Sequence, residues 1–160
     1  MKKGTFEDLL PQETVERMLL SRVSVGEVFR MHLGKEENIK GKNPGDDGRN
    51  KYFVVLGHDL DGNAIGVVII DSEINPNLPP RRQQMHYLLS AKKYAFLKEK
   101  DRFVDCSDLK TITGKRFKEL FGNGKAKGTI MQDDLELIKG AVISYEDASP
   151  KALKRFGLIP

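Results

Sequence analysis

Two apolar segments separated by a tight turn limit the folds open to this chain. Residues 52–57 form an apolar run that fits a strand buried on both faces, and residues 64–70 form a second one. Between them lies Asp61-Gly62, a dipeptide typical of two-residue hairpin turns. The sequence therefore predicts an antiparallel hairpin.

Three further segments have strand character. Residues 25–33 precede the hairpin, and residues 85–90 and 103–106 follow a proline-rich stretch at 75–80 that fits neither a helix nor a central strand. No helical pattern separates the first three strands, which favours an antiparallel barrel or a small sandwich over a parallel sheet. We therefore expect a mainly β fold with peripheral helices.

Helical patterns lie mainly near the ends of the chain. Pro11 suits the first position of one helix, residues 131–143 combine acids in the first turn with an apolar stripe, and Ser149-Pro150 begins a short last helix. These patterns suggest three regions. We expect an N-terminal helical extension at residues 1–24, a barrel domain with its C-terminal helix at 25–148, and a short C-terminal helix or tail at 149–160.

Length and composition limit the class of protein and the cellular compartment that we expect. With 160 residues, of which 39% are hydrophobic, one domain can bury a core without a disulfide or a metal. Cys106 is the only cysteine, no apolar run approaches the length of a membrane span, and the N-terminal residues do not resemble a signal peptide. We expect a cytoplasmic protein without a membrane partner.

Metal-ligating residue types show no recognisable spacing in the sequence. His32, His58 and His86 are dispersed along the chain and stand apart from Cys106. We therefore expect no metal site and no cofactor. Among the histidines, His32 is the best candidate for a functional proton carrier, because it lies nearest in sequence to a long polar loop.

Positive charge is concentrated in the middle of the chain. Residues 81–128 hold 13 Lys/Arg and 5 Asp/Glu, whereas the whole chain has a net charge of only +4. A local excess of this kind can attract phosphates by counterion release. The same lysines can also serve only to keep the surface soluble.

The long polar loop ends at a pair of cations. Residues 34–50 lack both strand and helix periodicity, and loops of this length in small domains are usually functional or disordered. Arg49 and Lys51 stand where this loop meets the apolar strand. A rigid strand can hold a basic group there while the loop closes over a polyanion.

A series of short motifs then follows in order between about residues 25 and 144. They are Val25-Gly26-Glu27-Val28, the glycine-rich charged loop, the cation before Val54-Val55-Leu56, residues 67–72, Leu78-Pro79, residues 91–96, residues 103–106, Leu109-Lys110-Thr111-Ile112, and Gly128-Thr129-Ile130 before an acidic helix start. In this order the motifs resemble the PemK/MazF-like toxins of bacterial toxin-antitoxin systems.

The resemblance implies an SH3-like antiparallel barrel, a homodimer, and an antitoxin protein as partner. It also implies metal-independent cleavage of single-stranded RNA, in which the ribose 2′-hydroxyl attacks the adjacent phosphate. Lys51 takes the place of the family's arginine, and either Asp71 or Ser72 takes the place of its threonine, depending on one residue of register. Arg49 could supply the guanidinium that Lys51 lacks, since alternate residues of an extended segment share a face.

The implied RNA contacts come from basic and aromatic residues. Tyr52 and Tyr94 stand beside lysines and could stack on unpaired bases. The other candidates for guiding the strand are Arg81, Arg82, Lys92, Lys93 and His32.

A second interpretation stays open because lysine replaces arginine at position 51. Under this alternative the chain is a non-catalytic SH3-like barrel that binds RNA or a protein partner.

Overall fold

The computed structural model describes residues 9–122 and 124–160, and the first eight residues of the predicted N-terminal extension lie outside that part. The described residues contain seven strands, five α-helices and two short 3₁₀ helices, Lys35–Glu37 and Ala95–Leu97. The strands are β1 (Glu27–Gly34), β2 (Gly48–His58), β3 (Ala64–Asp71), β4 (His86–Leu89), β5 (Arg102–Asp105), β6 (Lys110–Thr113) and β7 (Gly128–Thr129). The helices are α1 (Gln12–Ser21), α2 (Pro80–Gln84), α3 (Gly114–Phe121), α4 (Gln132–Ser144) and α5 (Pro150–Arg155).

All seven strands belong to one antiparallel sheet. The order is β4-β5-β3-β2-β1-β7, and β6 pairs with β3 on the same side as β5. Strands β5 and β6 both pair with the same edge of β3. The chain therefore leaves the sheet after Asp105 and re-enters it at Lys110, with four residues between the two strands. The sheet is curled and forms a half-barrel.

The central hairpin is the one that the sequence predicts. β2 pairs with β3 from Tyr52↔Ile70 to Val55↔Val67, and the register shifts beyond Val55. The predicted end of the long polar loop at residue 50 is wrong, however, because β2 already begins at Gly48. Arg49 and Lys51 are therefore ladder residues that pair with β1, and a strand holds them instead of a loop.

Hydrophobic cores lie on both faces of the sheet. On one face, α4 and α5 bury Ile138 and Leu153 against strand residues such as Val54. On the other face, α1 and α3 bury Leu20 and Phe117 against residues such as Phe53. A sheet covered by helices on both faces corrects the expectation of a mainly β fold, and the structure is mixed α/β.

Helix α3 is the main element that the sequence did not reveal. Thr113 caps it, since its Oγ1 accepts a hydrogen bond from the Arg116 backbone N–H at 3.2 Å. Phe117 in this helix is fully buried and meets Phe29 edge-on, with 5.3 Å between ring centroids. The helix is short, and this tertiary contact rather than its own periodicity accounts for its place in the fold.

The predicted terminal helices are present with small shifts. Pro11 is the residue before α1 rather than its first residue. Ser149 caps α5 by accepting a hydrogen bond from Ala152 N–H at 3.2 Å, and Gly157 follows with a φ of 71°. Among the described residues, no helix is both long and apolar enough to cross a bilayer.

Candidate functional site: a charged cleft and a basic groove

A cleft of about 620 Å³ opens at the end of the sheet where β2 and β3 meet the segment between β5 and β6. We name it the charged cleft. Its ionisable lining residues are Lys40, Arg49, Lys51, Asp71, Glu73, Arg82, Asp105, Asp108 and Lys110, and Ser72 also lines it. The four residues predicted to be catalytic, Arg49, Lys51, Asp71 and Ser72, therefore share one cleft.

Lys51 and Asp71 form an ion pair within the cleft. Nζ of Lys51 donates a hydrogen bond to Oδ1 of Asp71 at 2.6 Å. The pair follows from strand register, since Tyr52 pairs with Ile70 and the next position brings Lys51 opposite Asp71. Their side chains are only 16% and 24% exposed, which strengthens the attraction relative to a pair in open water.

Arg49 lies on the same face of β2 as Lys51, two residues earlier. It is exposed, and among the described residues it has no carboxylate within ion-pairing distance. This face of β2 therefore offers the cleft one cation held by Asp71 and one guanidinium open to a ligand.

Arg82 connects the short helix α2 to the far wall of the cleft. Its Nε donates a hydrogen bond to Ser107 Oγ at 2.8 Å, and its Nη2 lies 3.3 Å from Asp105 Oδ2. Asp108 Oδ2 lies 2.9 Å from Lys110 Nζ. Most of the cations along this wall are thus already neutralised by a carboxylate.

His86 lies behind this wall, and one of its ring nitrogens has no hydrogen-bond partner among the described residues. Its Nδ1 donates a hydrogen bond to the backbone carbonyl of Arg82 at 2.9 Å, so that Nε2 is the acceptor nitrogen of the neutral ring. Nε2 is buried and has no hydrogen-bond partner among the described residues. It lies 3.9 Å from Asp105 Oδ1, and the nearest ligand atoms of His86, Asp105 and Asp71 all lie within 4.8 Å of one another.

A buried ion pair fixes the loop that borders the cleft. Arg116 of α3 donates hydrogen bonds to Glu37, from Nε at 2.9 Å and from Nη2 at 3.1 Å. The hydrogen bond to Glu37 raises the pKa of Arg116. Lys110 adds a hydrogen bond from Nζ to the Glu37 carbonyl at 2.7 Å, so the loop and the cleft wall are held together.

A second concave surface lies on the opposite face of β2. This basic groove has a volume of about 550 Å³ and is lined by Arg30, Tyr52, Phe96, Leu97, Lys98, Arg102 and Lys127. The lining contains four cations and no acid among the described residues. The guanidinium of Arg102 lies 5.1 Å from the Tyr52 ring centroid, and that of Arg30 lies 5.7 Å from it.

The predicted RNA contacts are divided among several places. Tyr52 is in the basic groove and Arg82 is in the charged cleft. Arg81 points elsewhere, since its Nε donates to both carboxylate oxygens of Glu146 at 3.0 Å. Lys92 is exposed and lines neither surface.

Lys93 and Tyr94 belong to a network that anchors the start of α4. Nζ of Lys93 lies 2.8 Å from Asp133 Oδ2 and 2.9 Å from Asp134 Oδ2. Tyr94 is only 4% exposed and donates its hydroxyl hydrogen bond to Asp134. Burial raises the pKa of Tyr94 to about 12, and the adjacent carboxylate adds to the effect.

His32 contacts the polar loop instead of the cleft. Its Nε2 lies 2.9 Å from Asp47 Oδ1, and its Nδ1 lies 3.3 Å from Asn50 Oδ1. The hydrogen bond to His32 lowers the pKa of Asp47.

No protein-family model matches the chain, and no curated protein matches it in sequence.

Asp105, Asp108, His86 and Lys110 are cleft or near-cleft residues that sequence reasoning did not select. His86 is the first residue of β4, and Asp105 is the last residue of β5. A histidine or an acid at the end of a short strand can indicate a functional site there. Lys110 and Asp108 lie in or beside the motif Leu109-Lys110-Thr111-Ile112, which carries part of the resemblance.

Proposed function

We propose that the protein is a metal-independent endoribonuclease that cleaves single-stranded RNA, the toxin of a toxin-antitoxin pair. In this proposal the half-barrel is the SH3-like barrel of the PemK/MazF-like family. The chain then acts in the cytoplasm as a homodimer that an antitoxin protein restrains. The observation that carries the proposal is the Lys51–Asp71 ion pair at 2.6 Å, placed in a cleft that also presents Arg49.

The pair can supply the proton transfers of RNA cleavage. Asp71 accepts the proton of the ribose 2′-hydroxyl while the 2′-oxygen attacks phosphorus. The ammonium of Lys51 donates a proton to the departing 5′-oxygen. The products are a 2′,3′-cyclic phosphate and a free 5′-hydroxyl. Proton transfer from Asp71 back to Lys51 along their hydrogen bond then restores the starting state.

Arg49 and Ser72 complete the mechanism. The phosphorane carries additional negative charge, and the Arg49 guanidinium can bind two of its oxygens at once. Ser72 contributes a hydroxyl donor to the same phosphate. Electrostatic stabilisation of this kind is usually the largest contribution to such reactions.

A cleavage assay in EDTA tests the proposal. We expect the purified protein to cut single-stranded RNA with chelator present and to leave cyclic phosphate ends. The double variant Lys51→Ala with Arg49→Ala should not cut. Lys151→Ala is the matched control, since Lys151 is exposed and outside both the cleft and the basic groove. Cutting that stops on chelation, or that survives the double substitution, would contradict the proposal.

The basic groove favours a second candidate function, a non-catalytic RNA-binding module. Four cations without an acid suit a phosphate backbone, and Tyr52 and Phe96 offer aromatic surface for bases. Because the groove and the cleft lie on opposite faces of β2, substitutions can separate binding from cutting. Salt-dependent RNA binding without cut products, abolished by groove variants, would favour this candidate.

A further inference from the structure

The Nε2 nitrogen of His86, behind the wall of the charged cleft, lacks a hydrogen-bond partner among the described residues. The His86 side chain is 1% exposed, and its Nε2 has no hydrogen-bond partner among the described residues. Buried polar atoms are nearly always satisfied, so an orphaned acceptor requires an explanation. Protein groups do not supply one here, but a bound cation would.

Three strands bring two carboxylates to this nitrogen. His86 of β4 pairs directly with Asp105 of β5, and Asp71 ends the adjacent strand β3. The shortest His86 to Asp105 approach is 3.9 Å, and the three ligand atoms lie within 4.8 Å of one another. Metal–ligand bonds of about 2.0–2.2 Å are then reached by side-chain movements of about 1 Å.

Hydrogen bonds to neighbouring groups hold His86 and Asp105 in orientations that suit metal ligation. The Nδ1–H of His86 is bound to the Arg82 carbonyl, an arrangement that orients metal-ligating histidines and makes Nε2 the lone-pair nitrogen of the neutral ring. Asp105 Oδ1 accepts hydrogen bonds from Ser107, at 3.0 Å from N and 2.6 Å from Oγ. His86 and Asp105 are therefore oriented before any ion binds.

We propose that Asp71, His86 and Asp105 form a binding site for one divalent transition-metal ion such as Zn²⁺. One imidazole with two carboxylates suits an ion of intermediate softness better than Mg²⁺, which keeps several waters. Lys51 competes with the ion, because its ammonium lies 2.6 Å from Asp71. The inference concerns ion binding alone, and it holds whether or not the chain cuts RNA.

Calorimetric titration of the EDTA-treated and dialysed protein with ZnCl₂ tests the site. We expect one Zn²⁺ per chain, with affinity lowered about tenfold or more in Asp71→Asn and in His86→Gln. Lys51→Met should bind Zn²⁺ more tightly than the natural chain, because Asp71 loses its competing cation. His32→Gln is the matched control, since His32 also contacts a carboxylate but lies outside the cluster, and its affinity should be unchanged.

Nitrogen-15 NMR of the natural protein gives a readout that does not depend on variant folding. Zn²⁺ should shift the Nε2 resonance of His86 while Nδ1 keeps its proton. The absence of this shift at saturating Zn²⁺, or an affinity unchanged in Asp71→Asn, would overturn the proposal. So would Lys51→Met binding that is no tighter than that of the natural chain.

Discussion

Nζ of Lys51 and Oδ1 of Asp71 lie 2.6 Å apart across the β2–β3 ladder, in a cleft that both side chains help to line. Neighbouring strands of one hairpin hold the two groups, so their separation is set by the ladder and not by a mobile loop. A fixed cation and carboxylate at hydrogen-bond distance can transfer protons in both directions.

Substitution of either member of this pair should reduce cleavage without unfolding the chain. Asp71→Asn removes the base and should lower kcat about 100-fold or more. Lys51→Met should lower it by a similar factor, and Lys51→Arg should also lower it, because a guanidinium keeps the positive charge but does not give up a proton. Single-turnover cleavage of a labelled single-stranded RNA measures these rates. Full activity of Lys51→Arg would argue against proton donation by Lys51.

The basic groove should contribute to RNA affinity through its charge. Arg102→Gln removes a cation whose Nε lacks a partner among the described residues, and Arg30→Gln removes another. Each change should weaken RNA binding and reduce the slope of log K against log salt by about 0.7. Fluorescence anisotropy at several salt concentrations measures both effects.

Arg81→Gln provides the control for the groove variants. Arg81 is bound to Glu146 and lies outside the groove, so its loss should change neither the affinity nor the salt slope. An equal effect of Arg81→Gln and Arg102→Gln would show that binding depends on total charge alone.

Glu37 should be far more important for stability than its neighbour Glu36. The Glu37 side chain is 2% exposed and accepts two hydrogen bonds from Arg116. Glu37→Gln removes the nearest of three carboxylates around Arg116, while Glu36 and Glu119 stay 3.6 Å from its guanidinium, so we expect a loss of about 2 kcal/mol in the free energy of unfolding. Glu36→Gln, at a side chain 67% exposed, should change it by less than about 0.5 kcal/mol. Urea denaturation of both variants measures these changes in the free energy of unfolding.

Stability should fall in strongly alkaline solution because of two tyrosines that donate hydrogen bonds to Asp134. Burial raises the pKa of Tyr87 and of Tyr94 to about 12, from an ordinary value of 10.0. Both hydroxyls stay protonated in the folded chain while they ionise in the unfolded one, so their contribution is complete below pH 10 and is lost towards pH 12. The double variant Tyr87→Phe with Tyr94→Phe should show a shallower decline in urea denaturation over this interval. An identical decline in the two proteins would contradict the assignment.

The sequence predicted the central hairpin because its signals are local. The apolar runs of β2 and β3 and the dipeptide Asp61-Gly62 lie within twenty residues of one another. Strand alternation then places Arg49 and Lys51 on one face, so their joint position in the cleft was also predictable. The start of β2 was not, since residues 48–50 have a loop composition and become a strand only by pairing with β1.

Other features depend on segments that are far apart in the chain. Glu37 and Arg116 are 79 residues apart, and α3 is explained by the packing of Phe117 on Phe29. Tyr94 directly follows Lys92 and Lys93 in the sequence, yet it is buried and donates a hydrogen bond to Asp134 of α4. No local pattern carries this information.

The sequence by itself determined the antiparallel hairpin, the paired cations at its edge and the terminal helices, because period, turn chemistry and caps act over a few residues. The tertiary structure alone decided that His86 and Asp105 stand beside Asp71. Sheet order and register bring together residues that sequence distance separates.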